Sequence, residues 1–188
     1  CIRDRWETDK GTKYPNDHNY SKYYDKILNH LIGSEPNILE IGIKAPRGIG
    51  PYPSLNTWDE YFKNAQIHGI DVWIEKEPVK ESNINLSQVN QANKDELINY
   101  RDSIDFEFDL ILDDASHYAL HQSISFICLF DKLKSGGVYI IEDLSGDFTQ
   151  ATVEEIYTDK SLLEKMYQGT DYFGNNISEC ISEFSSVD

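Results

Sequence analysis

Short apolar runs alternate with longer amphipathic ones along most of the chain. Asn37-Ile38-Leu39-Glu40-Ile41-Gly42 has the length and near-continuous apolar character of a buried strand. Residues 66–72 read as a second strand, 83–86 as a weaker third and 108–114 as a fourth. A fifth covers 137–143, introduced by the breaker Ser135-Gly136-Gly137. Between them the spacing turns helical. Tyr20, Tyr23, Tyr24, Ile27, Leu28 and Leu31 recur at helical intervals. Ser54 stands where it could cap a helix carrying Leu55, Trp58, Tyr61 and Phe62. Asn93 can cap residues 94–101, with Glu96 at the three-residue offset of a capping box. Leu120, Ile124, Ile127, Phe130 and Leu133 form a fourth helical stripe, and 154–167 a helical stretch in the tail. Strands alternating with helices predict an α/β fold, a mostly parallel twisted sheet with helices on both faces.

Composition narrows the function classes. The chain has 188 residues, 39% hydrophobic and 12% aromatic, enough for one domain with a core. Thirty-three acidic against seventeen basic residues give a net charge of −16. Such a surface repels phosphate backbones and anionic bilayers, so neither nucleic acid nor membrane is an expected partner. No apolar run approaches the roughly 20 residues that span a bilayer, and the N-terminus shows no signal-peptide h-region. Cys1, Cys128 and Cys180 form no CxxC or disulfide framework; Cys128, among apolar neighbours, reads as a buried thiol. The expected compartment is the cytoplasm.

Acidic residues fall at strand ends repeatedly: Glu40, Asp71, Asp113-Asp114 and Glu142-Asp143. A doubly wound sheet gathers its ligands at those ends, where unrelieved like charges repel. Gly42, Gly48 and Gly50 follow the first strand without the GxGxxG spacing, yet still permit close approach of backbone to ligand. Asp71 stands where a carboxylate accepts a ribose hydroxyl, which points to an adenosine-containing cofactor. NAD and S-adenosylmethionine both satisfy that geometry; no Tyr is followed four residues later by Lys, and no GxxxxGK[ST] occurs, which favours the latter. Asp114, Glu142 and Asp143 form an all-oxygen set suited to Mg²⁺ rather than Zn²⁺. His117, one turn beyond Asp114, can serve as a base. His18 is a weaker candidate, and His30, His68 and His121 read as surface or packing residues.

The ordered pieces resemble a known family. They are Thr8-Asp9-Lys10-Gly11, His18-Asn19-Tyr20, Ile38-Leu39-Glu40-Ile41-Gly42, Ser54-Leu55 with Trp58, Gly69-Ile70-Asp71, Asn90-Gln91, Asp113-Asp114-Ala115-Ser116-His117, Leu133-Lys134-Ser135-Gly136-Gly137 and Ile141-Glu142-Asp143-Leu144. In this order they resemble the Mg²⁺-dependent class I sugar O-methyltransferases that act on macrolide-linked deoxysugars and related bacterial saccharides. The resemblance implies a Rossmann-like class I methyltransferase fold, with S-adenosyl-L-methionine and Mg²⁺ as cofactors. It implies that Asp114, Glu142 and Asp143 bind the metal and that His117 is the catalytic base. It assigns cofactor binding to Glu40, Gly42, Ser54, Asp71, Asn90, Gln91 and Asp113. Ala115 replaces the family's usual Gly, Asn90 stands where Asp is common, and the loop over 44–53 is longer.

The expected organisation is a single methyltransferase domain over 1–188. Residues 1–35 form a covering segment, 36–150 the cofactor- and metal-binding core, and 151–188 a helical tail in which 181–187 could begin a terminal strand pair. The expected reaction is O-methylation of a sugar hydroxyl in a glycan, nucleotide sugar or glycosylated metabolite presenting vicinal hydroxyls. The rival readings are a catechol-type O-methyltransferase and a non-catalytic methyltransferase-like binding domain. A homo-oligomer is compatible with the sequence.

Overall fold

The computed structural model describes residues 21–44, 52–74 and 83–143. The motifs expected at Thr8–Gly11 and His18, the helix over 154–167 and the strand over 181–187 lie outside the described residues. Five strands build one parallel sheet: β1 (Asn37–Ile41), β2 (Gln66–Asp71), β3 (Ile84–Gln88), β4 (Phe108–Asp113) and β5 (Leu133–Ile141). Their spatial order is β3-β2-β1-β4-β5. The chain therefore winds outward from β1 in one direction through β2 and β3, then returns to β1's other side with β4. That reversal opens a crevice beyond the carboxyl ends of β1 and β4.

Strand periodicity fixes which side chains meet which helix. Ile38 in β1, with Leu110 and Leu112 in β4, faces one layer built from α1 (Ser21–Ile27) and α2 (Pro53–Tyr61). There Tyr24, Leu28, Leu55, Trp58 and Phe62 are buried. Leu39 and Ile41 face the other layer, with Leu97 and Tyr100 of α3 (Lys94–Ser103) and Cys128 and Leu129 of α4 (Ala119–Leu129). Cys128 is a buried free thiol, as its neighbours predict.

Local chemistry explains the helix ends. Asn93 caps α3: its side chain accepts from the backbone N–H of Asp95 and Glu96. Glu96 reaches back to the Asn93 side chain and to the Asn90 backbone N–H, 2.8 Å each, a variant of the expected capping box. Helix α2 departs from expectation. Tyr52, in left-handed conformation, is its N-cap and Pro53 its first residue, so Ser54 lies inside the first turn instead of capping it. Proline's fixed φ suits that first position and moves the start upstream. The stretch expected as one helix to Leu31 ends at Ile27 and continues as a 3₁₀ turn over Asn29–Leu31.

Two further expectations are corrected. The stripe Leu120–Ile124–Ile127 is not the buried face of α4: Leu120 is 52% exposed, while Ala119, Gln122, Ser123, Ser125, Cys128 and Leu129 are buried. The donors of these buried polar side chains are satisfied, while Gln122 Oε1 has no hydrogen-bond partner among the described residues. The Ser123 and Ser125 hydroxyls donate to the carbonyls of Ala119 and His121, and Gln122 donates to the Glu142 carbonyl. Strand β5 begins at Leu133, not after the glycines. The ladder pairs Leu133 with Phe108 and Val138 with Leu110, and the intervening residues bulge through Gly136 at φ 81°.

Candidate functional site

The loops leaving β1 and β4 touch. The Asp114 N–H donates to the Ile41 carbonyl and the Gly42 N–H to the Ile70 carbonyl, both 2.9 Å. Gly42 holds φ 89°, and a Cβ there would lie 2.3 Å from the Ala115 Cα. Only glycine lets the two loops close to this distance. The Glu142 N–H extends the same ladder to the Asp113 carbonyl. Residues 113–117 and 142–143 are thereby anchored to rigid strand ends.

On this frame Asp114, His117 and Asp143 converge. His117 Nε2 lies 3.8 Å from Asp114 Oδ1 and 3.8 Å from Asp143 Oδ2. One donor atom from each lies within 4.8 Å of the others, the only such group among the described residues that could hold a metal ion. Two carboxylates and an imidazole in a strongly acidic chain suit a divalent cation. His117 Nδ1 is buried with no hydrogen-bond partner, so the ring's donor–acceptor chemistry is concentrated on Nε2. His117 and Asp143 are both left-handed, at φ 58° and 50°. Such backbone costs on the order of 1–3 kcal/mol and persists where function requires it.

A cleft of about 240 Å³ adjoins the trio, sharing Asp114 with it. Gly42, Asp71, Asn90 and Gln91 line it, as expected of cofactor-binding residues; so do Ile70, Val72 and Val89, which offer an apolar surface. The Asp71 carboxylate is already busy. Oδ2 accepts from the N–H of Ile43 and Lys44 at 3.0 and 3.1 Å, and Oδ1 from the Trp73 N–H at 3.0 Å. It folds the cleft's edge, with acceptor capacity left for a ligand hydroxyl. Asn90 Oδ1 accepts from the Ala92 N–H in an Asx turn.

Four expected site residues are not brought to the cleft wall or the metal trio. Glu40 is 1% exposed: strand alternation puts it on the Ile38 face, where Trp58 Nε1 donates to it at 2.7 Å. Burial, opposed by hydrogen bonds from Ser54 and Trp58 and reinforced by the Asp114 charge, pushes its carboxyl up to about 8. Ser54 is thus a partner of Glu40 from within α2. Asp113 is fully buried and accepts from the Gln91 amide; burial raises it to about 6. Glu142, 7% exposed, turns to the α1 layer and accepts from the Tyr24 hydroxyl; burial, then the Asp143 charge, raises it to about 7. The backbone reversal at Asp143 sends the two neighbouring carboxylates to different places. His121, expected on the surface or in packing, lines the cleft. Its five-residue offset from Ser116 across the start of a helix is a weak signal in a sequence. His68 packs against Phe106 and Phe108, as its packing assignment implies. Among the described residues no helix is long and apolar enough to cross a membrane.

No protein-family model matches the chain. It is 33% identical over 130 residues to mycinamicin VI 2''-O-methyltransferase of Micromonospora griseorubida, covering 68% of this chain and 32% of that protein. It is 30% identical over 140 residues to L-olivosyl-oleandolide 3-O-methyltransferase of Streptomyces antibioticus, covering 74% and 35%. It is 28% identical over 137 residues to 8-demethyl-8-alpha-L-rhamnosyl tetracenomycin-C 2'-O-methyltransferase of Streptomyces olivaceus, covering 71% and 35%. The chain spans about a third of the length of these relatives. Among solved structures it is similar to the MycE methyltransferase from the mycinamycin biosynthetic pathway in complex with Mg and SAH. The TM-score is 0.64 at 28% identity, covering 75% of this chain and 38% of that one. The complex of MycE with Mg, SAH and mycinamycin VI gives 0.64 at 29%, covering 76% and 36%.

Proposed function

We propose that this chain, a Rossmann-like class I methyltransferase homologous to the macrolide- and tetracenomycin-sugar O-methyltransferases, transfers a methyl group from S-adenosylmethionine to a hydroxyl of a glycosylated small molecule with Mg²⁺ assistance. One observation carries the reading: Asp114 belongs both to a metal-competent trio and to the wall of a cleft lined by Asp71, Asn90 and Gln91. When bound, the cofactor supplies the methyl group and the divalent ion lowers the pKa of the acceptor hydroxyl.

The chain's own residues do the rest. Asp114 and Asp143 would hold the ion, while Glu142 stays with the Tyr24 hydroxyl. His117, leaving the ion to the two carboxylates that its Nε2 faces, would take the acceptor's proton at that nitrogen. Asp71 shapes the cleft edge through three backbone N–H groups and accepts a ribose hydroxyl with its remaining capacity. Positioning of cofactor and acceptor on fixed strand ends supplies much of the rate. The complex of MycE with mycinamycin VI supports a glycosylated macrolide-like acceptor.

Mass spectrometry after incubation with S-adenosylmethionine and Mg²⁺ tests the reading against three acceptors: a deoxysugar macrolide glycoside, its aglycone and a catechol. A gain of one methyl on the glycoside alone is expected. Methylation of the catechol alone would replace the sugar with that substrate class. No product on any acceptor, with SAH still bound, would leave a non-catalytic binding domain.

A further inference from the structure

Beneath the cleft, four side chains form one directed hydrogen-bond chain. Gln91 Nε2 donates to both oxygens of the buried Asp113 carboxylate, at 2.6 and 2.8 Å. Gln91 Oε1 faces Ser116, whose backbone N–H reaches it at 3.3 Å and whose hydroxyl reaches it at 2.9 Å. A backbone N–H can only donate, so the amide orientation of Gln91 is settled from both ends. The single hydroxyl proton of Ser116 is spent on Gln91. Ser116 Oγ is left with acceptor capacity, and two groups use it: the Tyr118 N–H at 3.4 Å and His121 Nδ1 at 2.9 Å. Nδ1 of His121 must therefore carry a proton. In the neutral ring, Nε2 is then a bare acceptor.

His121 is half-buried, lines the cleft and, among the described residues, makes no hydrogen bond through Nε2. The Tyr118 ring packs against it edge-on at 5.4 Å and limits its rotation. Val72, Val89 and Ala92 supply apolar surface in the same cleft, suited to a flat ring.

We infer that His121 is a cofactor-recognition residue whose Nε2 accepts a hydrogen bond from the exocyclic amine of the bound adenine, and that Asp113, Gln91 and Ser116 fix its tautomer from behind. The inference rests on the reading of the cleft as an adenosine-cofactor site. An acceptor here favours a 6-amino purine and opposes a 6-keto purine, which would point a second acceptor at Nε2. Asp113 and Gln91 thereby act on the ligand through Ser116 and His121, which explains why a buried carboxylate and a buried amide lie under a binding cleft.

Two measurements test it. Calorimetric titration compares SAH with its deaminated analogue, S-inosylhomocysteine, on wild type and on His121→Phe. Wild type is expected to prefer SAH by about tenfold or more, the worth of one well-placed hydrogen bond. His121→Phe is expected to bring the two affinities within about twofold of each other. A preference unchanged in His121→Phe overturns the inference while leaving the cofactor reading intact. Wild type that binds neither ligand overturns both. The second measurement needs no variant: ¹⁵N imidazole spectra of the ligand-free protein are expected to show His121 protonated on Nδ1, with the Nε2 resonance moving when SAH is added. An Nε2-protonated tautomer, or an Nε2 signal indifferent to SAH, overturns the assignment.

Discussion

His117 Nε2 and Asp143 Oδ2 stand 3.8 Å apart, and both residues hold left-handed backbone to do so. Each follows a strand whose last residues are locked in the parallel ladder, His117 after β4 and Asp143 after β5. Neither is glycine, so local preference alone does not place them there. The surrounding ladder holds two strained turns whose product is a carboxylate–imidazole pair beside Asp114.

That strain makes a separable prediction. His117→Gly relieves the φ 58° conformation and is expected to leave the melting temperature unchanged or higher. His117→Ala keeps the strain. Both are expected to lower kcat by a factor on the order of 10²–10⁴, the usual contribution of a positioned base. SAH affinity should hold steady in each. Near-normal kcat in either variant would move the base elsewhere.

Gly42 is expected to be irreplaceable. In Gly42→Ala the new Cβ meets backbone of the facing loop at 2.3 and 2.5 Å, so the loops must part. The cost is about 2–4 kcal/mol, combining overpacking with a left-handed alanine, and SAH binding should weaken with it. Gly33→Ala is the control: φ is 87° there, yet nothing lies within 4 Å. It should cost about 1 kcal/mol and spare binding. Equal effects of the two in thermal melts and titrations would deny the close loop contact its role.

Much of this was legible in the sequence, for identifiable reasons. The strands announce themselves because both sheet faces are covered, which makes their apolar runs nearly continuous. Asn93 and Glu96 cap as their spacing predicts. Asp114 and His117 meet because they share one turn. The buried face of α4 was not legible: Gln122, Ser123 and Ser125 are buried polar groups whose donors go to their own turn or to the Glu142 carbonyl, and hydrophobicity alone points to Leu120 instead. Nor was the parting of Glu142 from Asp143, which depends on one left-handed residue. The start of β5 was hidden by a bulge whose glycines read as a break.

Stability should fall as pH rises. Burial holds Glu40 at about 8, Glu142 at about 7 and Asp113 at about 6, above ordinary values of 4.5, 4.5 and 3.8. Between ordinary and raised values the folded state binds more protons than the unfolded one. Each step up in pH across that window therefore favours unfolding. The ligand-free protein should be most stable on the acid side and lose on the order of several kcal/mol by pH 8. Glu40→Gln, whose amide oxygen can still accept from Trp58, should flatten the upper part of the slope. Melting temperatures across the series check this; a wild-type curve that climbs toward pH 8 would refute the assignment.

Metal and stability should be coupled. Mg²⁺ is expected to raise the melting temperature, because a cation offsets the repulsion of Asp114 and Asp143. Asp114→Asn and Asp143→Asn should each abolish that gain while SAH binding largely survives. A gain that persists in both variants would place the ion elsewhere.

Transfer of an isotopically labelled methyl group from S-adenosylmethionine to a macrolide glycoside, with Mg²⁺ and with EDTA, tests the central claim most directly. The predicted result is label on a sugar hydroxyl with Mg²⁺, loss of transfer in EDTA and recovery when Mg²⁺ is restored. Equal transfer in EDTA would contradict the role given to Asp114 and Asp143, and label absent from every sugar oxygen would contradict the proposed reaction itself.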